Sequence, residues 1–314
     1  MKIQKTISVK HFIDLNILES DELKSIISTA KKLKSLDVKS ASKLLELKNL
    51  AMIFEKTSTR TRVSFEAAIN QLGGNAIVMD KNSTQLGKGE TIEDTAKVLS
   101  GLVDMVMIRC KDHESLTKMA QNSTIPIING LTDYSHPCQI MASILTIEEN
   151  LGDIKNKTLA WFGDANNVLN SYIHAADKFD YQLNIAIPQN FNFCDEEIKK
   201  AQAKGVKINL YNDAKLAAKN SDVLITDTWI SMGQNSENDE KIRQEKVKQL
   251  MPFQVTSQLM KSANKNAIFT HCLPAYRGFE VVADVIDGDQ SVVFEEAHNR
   301  LHVQKAILLW LNNL

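Results

Sequence analysis

Residues 54–62 read Phe54-Glu55-Lys56-Thr57-Ser58-Thr59-Arg60-Thr61-Arg62, directly after a short apolar run at 50–54 and ahead of a helical stretch at 59–72. A helix N-terminus carries unpaired backbone N–H groups and the positive end of the helix dipole, so it favours an anion. A guanidinium adds bidentate, charge-assisted bonds to phosphate oxygens. A single Ser or Thr here would be read as a cap with solvated arginines nearby. Four hydroxyl residues and two arginines crowded behind a buried run shift the reading to an oxyanion site. Arg109 closes the apolar run 105–108. It is either a surface charge or a second ligand for the same anion.

Three further segments carry polar groups at matching places. Ser135-His136-Pro137-Cys138-Gln139 follows the run 125–128. Pro137 holds His136 extended and then permits a helix start, so His136 and Gln139 project from one helix N-terminus. A lone His is commonly structural; beside a phosphate site, His136 is a candidate donor to a substrate carbonyl. Asn166-Asn167 opens a helix after Trp161-Phe162-Gly163, where an amide either caps the helix or holds a carboxylate. The G-x-G-x-x-G spacing is absent, which disfavours a nicotinamide cofactor. Asp227 follows the run 223–226 and offers a carboxylate for an ammonium. The Ser231-Met232-Gly233 turn and polar stretch behind it read as a mobile loop or as an ordinary surface turn. Finally, His271-Cys272-Leu273-Pro274 follows the run 267–270. Adjacent residues of an extended segment face opposite ways, so His271 is expected to be poorly placed to deprotonate Cys272.

All of these groups stand just after apolar runs, and those runs define the fold. Strand candidates lie at 50–54, 76–79, 105–108 and 125–128, and again at 158–162, 183–187, 207–210, 223–226, 267–270 and 291–294. Amphipathic stretches separate several of them, including 20–36, 59–72, 91–101, 167–179, 195–204 and 214–220. Continuous apolar strands alternating with helices indicate α/β domains, each a parallel sheet covered by helices on both faces. Ligands of such sheets bind beyond the carboxyl ends of the strands. The expected division is residues 1–137, then 138–295 including a linking helix at 138–150. The last helix, about 296–314, is expected to return to the first domain.

Composition narrows the class. With 43% hydrophobic and 24% charged residues, the chain has the balance of a soluble globular protein. Its net charge of -1 gives no reason to expect a nucleic acid partner. No stretch approaches the roughly 18 uninterrupted apolar residues of a membrane helix, so no membrane partner is expected. Residues 1–14 lack the apolar core of a signal peptide. Cys110, Cys138, Cys194 and Cys272 form no CxxC pair and read as reduced thiols of a cytoplasmic enzyme, with metal binding not expected.

The motifs, in order, are FEKTSTRTR at 54–62, HPCQ at 136–139, DTWISMG at 227–233, HCLPA at 271–275 and NRLH at 299–302. Together the chain resembles the aspartate/ornithine carbamoyltransferase family over nearly its whole length. The Ser-Met-Gly loop and the Cys-Leu-Pro segment resemble its ornithine branch. The resemblance implies two α/β domains that close after ordered binding. It implies transfer of the carbamoyl group of carbamoyl phosphate to the δ-amine of L-ornithine, giving L-citrulline and phosphate, with no metal or organic cofactor. It also implies that Ser58, Thr59, Arg60, Thr61 and Arg109 bind the phosphate, that His136 and Gln139 hold the carbonyl and amide ends, and that Arg300 faces the carbamoyl group. Gln85 would reach the site of a neighbouring subunit, which implies a homotrimer with shared active sites. Asn167, Asp227, Ser231 and Met232 match ornithine-binding positions, and Cys272 with the Leu273 backbone matches the surroundings of the reacting amine. The catalytic set implied is Arg109, His136, Asp227, Cys272 and Arg300. One departure stands beside these matches: His298 occupies a position where the family pattern carries an acid. The alternatives are a carbamoyltransferase for another amine, such as putrescine or an acylated ornithine, and a non-catalytic carbamoyl phosphate sensor.

Overall fold

The structure is a computed structural model, and it describes residues 9–56, 58–80, 89–191, 194–229 and 237–314. Gln85, Ser231 and Met232 lie outside the described residues. Contacts group the chain into two compact units, Met1–Cys138 with Leu301–Leu314, and Gln139–Arg300. The chain passes between them within two helices, Pro137–Leu151 and Val293–Leu311.

The first unit holds four parallel strands, β1 (Asn49–Phe54), β2 (Asn75–Asp80), β3 (Met105–Arg109) and β4 (Ile127–Leu131), in the order β2-β1-β3-β4. Ala51, Ile53, Val106 and Ile108 pack with Ala96 and Leu99 of helix Ile92–Ser100 and with Leu116 and Met119 of helix His113–Asn122. Their alternates Leu50, Met52, Met105 and Met107 are buried as well. Burial of both sets explains why these strands read as unbroken apolar runs rather than alternating ones. The segment before the first helix extends this sheet: Phe12 forms a parallel bridge with Ile128 and exchanges backbone bonds with Ile127 and Asn129.

The second unit holds β5 (Thr158–Phe162), β6 (Gln182–Ala186), β7 (Ile208–Tyr211), β8 (Val223–Thr226) and β9 (Ile268–His271), all parallel, in the order β7-β6-β5-β8-β9. Ala160, Phe162, Leu224 and Phe269 share a core with Ala217, Phe253, Leu259 and Val285, while Leu159, Trp161, Val223 and Ile225 are buried too.

In each sheet the strand order reverses once, between β1 and β3 and between β5 and β8. Such switch points leave a crevice at the carboxyl ends, where the flanking loops part in opposite directions. The first crevice is bounded by residues following Phe54 and by Arg109, which are paired in register. The second is bounded by residues following Phe162 and Thr226, also paired, with His271 paired to Thr226 beside them.

Several elements differ from expectation. Residues 291–294 form no strand: Ser291 makes an isolated bridge with Phe269, and Val293 already begins the last helix. The run Ser-Val-Val-Phe has strand composition, but its backbone is taken into a helix whose later residues carry the apolar pattern. Helices His113–Asn122 and Glu237–Leu250 were not anticipated. Glu237–Leu250 has too few apolar residues to display a stripe, whereas His113–Asn122 carries a short one, Leu116, Met119 and Ala120, that was passed over. Glu237–Leu250 also converts the end of the polar stretch after Gly233 from loop into helix.

Candidate active site

In the first unit, Ser58 is the N-cap of helix Thr59–Gln71, its hydroxyl accepting from the Thr61 N–H at 3.3 Å. Thr61 is buried, and its own hydroxyl accepts from Arg109 Nη1 at 3.3 Å. Hydroxyls, helix N-terminus and strand-end guanidinium therefore meet at the β1/β3 switch point. Arg109 is placed there by an irregularity: the β3–β4 register shifts between Ile108 and Arg109. Gly130 fills the skipped position, where a Cβ would clash with the Met107 sulfur. A bulge of this kind re-aims a strand-end side chain.

The cations of the 54–62 motif are not equivalent. Lys56 is paired with Asp133 at 2.9 Å, and Arg62 lies 3.8 Å from Glu66 one turn along the helix. Among the described residues the Arg60 side chain has no such partner and is half-buried. Thr59 is exposed. His136 is buried immediately before the helix that carries Gln139. The loop leading to it is fixed by Thr132, whose hydroxyl accepts from the Tyr134 and Ser135 N–H groups, and by Asp14, which accepts from the Ser135 hydroxyl at 3.0 Å.

In the second unit the central group is Asp227, a buried carboxylate at the end of β8. Its Oδ1 accepts from the Thr228 N–H at 2.7 Å and from the Cys272 thiol at 2.8 Å; its Oδ2 accepts from Asn166 Nδ2 at 2.8 Å. Asn166 also caps helix Asn167–Phe179, its Oδ1 accepting from the Val168 and Leu169 N–H groups. The neighbouring Asn167 is the first helical residue, half-buried beside this set. Of the two amides, Asn166 thus serves as cap and carboxylate partner together, a double role that adjacency in sequence could not assign.

Cys272 is the one cysteine that is not buried. The Cys110 thiol is pushed up to about 12 by burial and by the charges of Glu55, Asp112 and Asp133, which makes it a poor nucleophile at neutral pH. Burial pushes Cys194 up as well. His271 comes nearer to Cys272 than simple alternation predicts, because Leu273 turns the chain with φ of 54°. Its Nδ1 accepts from the Leu273 N–H at 2.8 Å, and Nε2 faces Glu280 at 3.4 Å. Nδ1 thus serves as the acceptor of the turn and leaves Nε2 to face Glu280. The Cys272 thiol bonds Asp227 and not this ring, so the imidazole shapes the turn. Donor atoms of Asp227, His271 and Cys272 lie within 4.8 Å of one another. A carboxylate, an imidazole and a thiol are a set that suits a divalent transition ion, although residues scattered in sequence gave no reason to expect one.

Gln139 and Arg300 are both buried, and Arg300 Nη1 donates to Gln139 Oε1 at 3.1 Å. Asn299 bonds the Thr146 hydroxyl and Glu149 at 2.9 and 2.7 Å, which fixes the start of the last helix against helix Pro137–Leu151. His298 points to solvent, so the missing acid at that position leaves these bonds untouched.

Two residues near this site were not singled out from sequence. Asp164, after β5, is paired with Lys246 at 2.6 Å; burial raises its carboxyl, with the Asp227 charge adding to the effect and Lys246 opposing it. Gly163 has φ of 109°, and a Cβ there would clash with the Trp229 indole nitrogen. Gly163→Ala is expected to destabilise the protein by about 1–3 kcal/mol through overpacking. Urea unfolding checks this, and an unchanged midpoint would contradict the tight fit of Trp229.

Residues 10–149 match the family model described as the aspartate/ornithine carbamoyltransferase, carbamoyl-P binding domain, and residues 155–311 match the Asp/Orn binding domain of the same family. The chain is 49% identical over 303 residues to the ornithine carbamoyltransferase of Rhodopseudomonas palustris, covering 96% of both chains. It is 50% identical over 303 residues to that of Brucella abortus, covering 96% of this chain and 95% of the relative. Among solved structures, the ornithine carbamoyltransferase of Pyrococcus furiosus is similar with a TM-score of 0.89 and 42% identity, covering 96% of each chain. No helix among the described residues is long and apolar enough to cross a membrane. Two domain models matched in order across the chain, with relatives at this identity, place the protein in the aspartate/ornithine carbamoyltransferase family.

Proposed function

We propose that the protein transfers the carbamoyl group of carbamoyl phosphate to the δ-amine of L-ornithine, giving L-citrulline and phosphate. The observation that carries this reading is Asp227: a buried carboxylate at a sheet switch point, held by Asn166 and Cys272. It suits an amino-acid ammonium or amine, and the relatives that match are ornithine enzymes. The first unit then supplies the phosphate ligands and the second the ornithine ligands. In this division the carbamoyl phosphate domain is residues 1–137 with the terminal helix from about 296, and the ornithine domain is 138–295.

Ser58, Thr59, Arg60, Thr61 and Arg109 bind the phosphate, with helix N–H groups completing the cradle. His136, Gln139 and Arg300 bind the carbamoyl end. Asn167, Asp227, Ser231, Met232, Cys272 and the Leu273 backbone bind ornithine. An alkyl amine is mostly protonated at neutral pH, by analogy with a lysine pKa of about 10.4. Asp227 and Cys272 orient the amine and draw off its proton. The amine nitrogen attacks the carbamoyl carbon, and Arg109, His136 and Thr61 stabilise charge developing on the carbonyl oxygen. The bond from carbon to the phosphate oxygen breaks, and the departing phosphate takes one of the two protons left on the amine nitrogen, the other staying in citrulline. The protein works in the cytoplasm as a homotrimer, with Gln85 completing the site of a neighbouring subunit.

Carbamoyl transfer measured with ornithine, putrescine, N-acetylornithine and aspartate tests the reading. A preference for ornithine of at least 100-fold in kcat/KM is expected, since a site built around polar partners rejects analogues that leave them unpaired. Preference for putrescine or N-acetylornithine would overturn the role of Asp227 while leaving the phosphate half in place.

A further inference from the structure

A carboxylate outside the residues assigned above is linked to two of them, Gln139 directly and Arg300 through Gln139. Glu296 is 1% exposed and stands one helical turn before Arg300. Its Oε1 accepts from Gln139 Nε2 at 2.7 Å and from the Ser143 hydroxyl at 2.5 Å. Burial raises its carboxyl, the bonds from Ser143 and Gln139 pull it back down, and so does the nearby His271. Gln139 is thus held at both ends of its amide: Nε2 gives one hydrogen to Glu296, and Oε1 takes one from Arg300.

Each end has capacity left. An amide nitrogen carries two hydrogens and an amide oxygen two lone pairs. The bond to Glu296 also settles which end of the amide is which. With an acceptor fixed at Nε2, the oxygen must face Arg300, and the amide cannot flip without setting two acceptors against each other. Glu296, Gln139 and Arg300 come from two helices, Val293–Leu311 and Pro137–Leu151. Nothing about Glu296 touches a substrate directly.

We infer that Glu296 is a positioning residue for carbamoyl transfer, fixing the amide of Gln139 and through it the Arg300 guanidinium that faces the carbamoyl group. The inference rests on the proposed carbamoyl transfer to ornithine. What acts is the reach of an acceptor oxygen more than the charge: both bonds fall on Oε1, and an amide oxygen in its place still accepts them.

Two substitutions in the full-length protein separate these properties. Glu296→Asp keeps the charge and withdraws the oxygen by one methylene. Glu296→Gln keeps the reach and removes the charge. For Glu296→Asp, kcat is expected to fall about 10- to 100-fold, as for other residues that orient a ligating side chain, with KM for carbamoyl phosphate within about threefold because the phosphate ligands are untouched. Glu296→Gln is expected to stay within about fivefold of the unmodified protein. In a Gln139→Ala background the loss from Glu296→Asp should shrink to about threefold or less, the signature of two residues acting through one contact. A Gln variant as impaired as the Asp variant, or a loss that persists undiminished without Gln139, would overturn the inference. Should Glu296→Asp not fold, the Gln variant decides alone, a drop of tenfold or more counting against it. Transfer by the unmodified protein is measured first: absence of citrulline there removes the proposed function itself, whereas a normal rate with additive losses removes only the role of Glu296.

Discussion

Arg60→Ala is expected to lower kcat/KM for carbamoyl phosphate by about 100- to 10,000-fold. The figure follows from losing a bidentate, charge-assisted pair of bonds to a dianionic phosphate, each bond to a charged group contributing about 1.5–3 kcal/mol. Three cations stand in the 54–62 motif; the family resemblance points to Arg60, but the residue types alone do not rank them. The structure does: Lys56 is occupied by Asp133 and Arg62 lies near Glu66, whereas Arg60 sits half-buried in the first turn above the Ser58 cap. Arg62→Ala therefore serves as the comparison, with a loss of about threefold or less, because an exposed i,i+4 pair contributes under about 1 kcal/mol. Initial rates with carbamoyl phosphate varied at saturating ornithine give both values. Near-normal turnover of Arg60→Ala would remove the phosphate site from the β1/β3 switch point.

The second large effect is expected at the other switch point. Asp227→Asn should lower kcat/KM for ornithine by about 100-fold or more while KM for carbamoyl phosphate stays within about threefold. Among the described residues every hydrogen-bond partner of this carboxylate is a donor: the Thr228 N–H and Cys272 thiol at Oδ1, Asn166 Nδ2 at Oδ2. An amide at position 227 must turn its own N–H₂ toward one of them. That leaves opposed donors in a buried setting, at a cost of about 1–3 kcal/mol, and removes the charge that receives the amine. The measurement is a set of initial rates with ornithine varied at saturating carbamoyl phosphate. An Asn variant with unaltered ornithine dependence would reassign the amine to other groups.

Both predictions start from segments that sequence picked out, yet neither could be sharpened there. The strand 223–226 and the Asp after it are legible because a fully buried parallel strand is a short, unbroken apolar run with its polar continuation at the carboxyl end. The same logic located β1 with its Ser/Thr/Arg sequel, and β3 with Arg109. It failed at 291–294, where a β-branched run was absorbed into a helix, and at Glu237–Leu250, where a polar helix carries little periodic signal; the short stripe of His113–Asn122, Leu116, Met119 and Ala120, was passed over. Glu296 was passed over for a different reason. Its importance lies in bonds to Gln139 and Ser143, more than 150 positions earlier in the chain, and a Glu near a helix start is otherwise read as a favourable charge on the dipole.

The sequence by itself determined the α/β class, the places where strands end and the chemical types gathered at those ends. These follow from local composition and from the rule that a buried strand must be apolar while its loop need not be. Only the tertiary structure decided which strands are neighbours, and hence which strand-end residues meet. Strand order put Arg109 beside the Ser58–Thr61 turn and Cys272 beside Asp227. It chose Asn166 over Asn167 as the partner of that carboxylate, and it set Lys56 and Arg62 against acids, the physical reason Arg60 stands apart. Each outcome depends on contacts between residues far apart in the chain, whose geometry is fixed by the packing of whole sheets and helices rather than by any local preference.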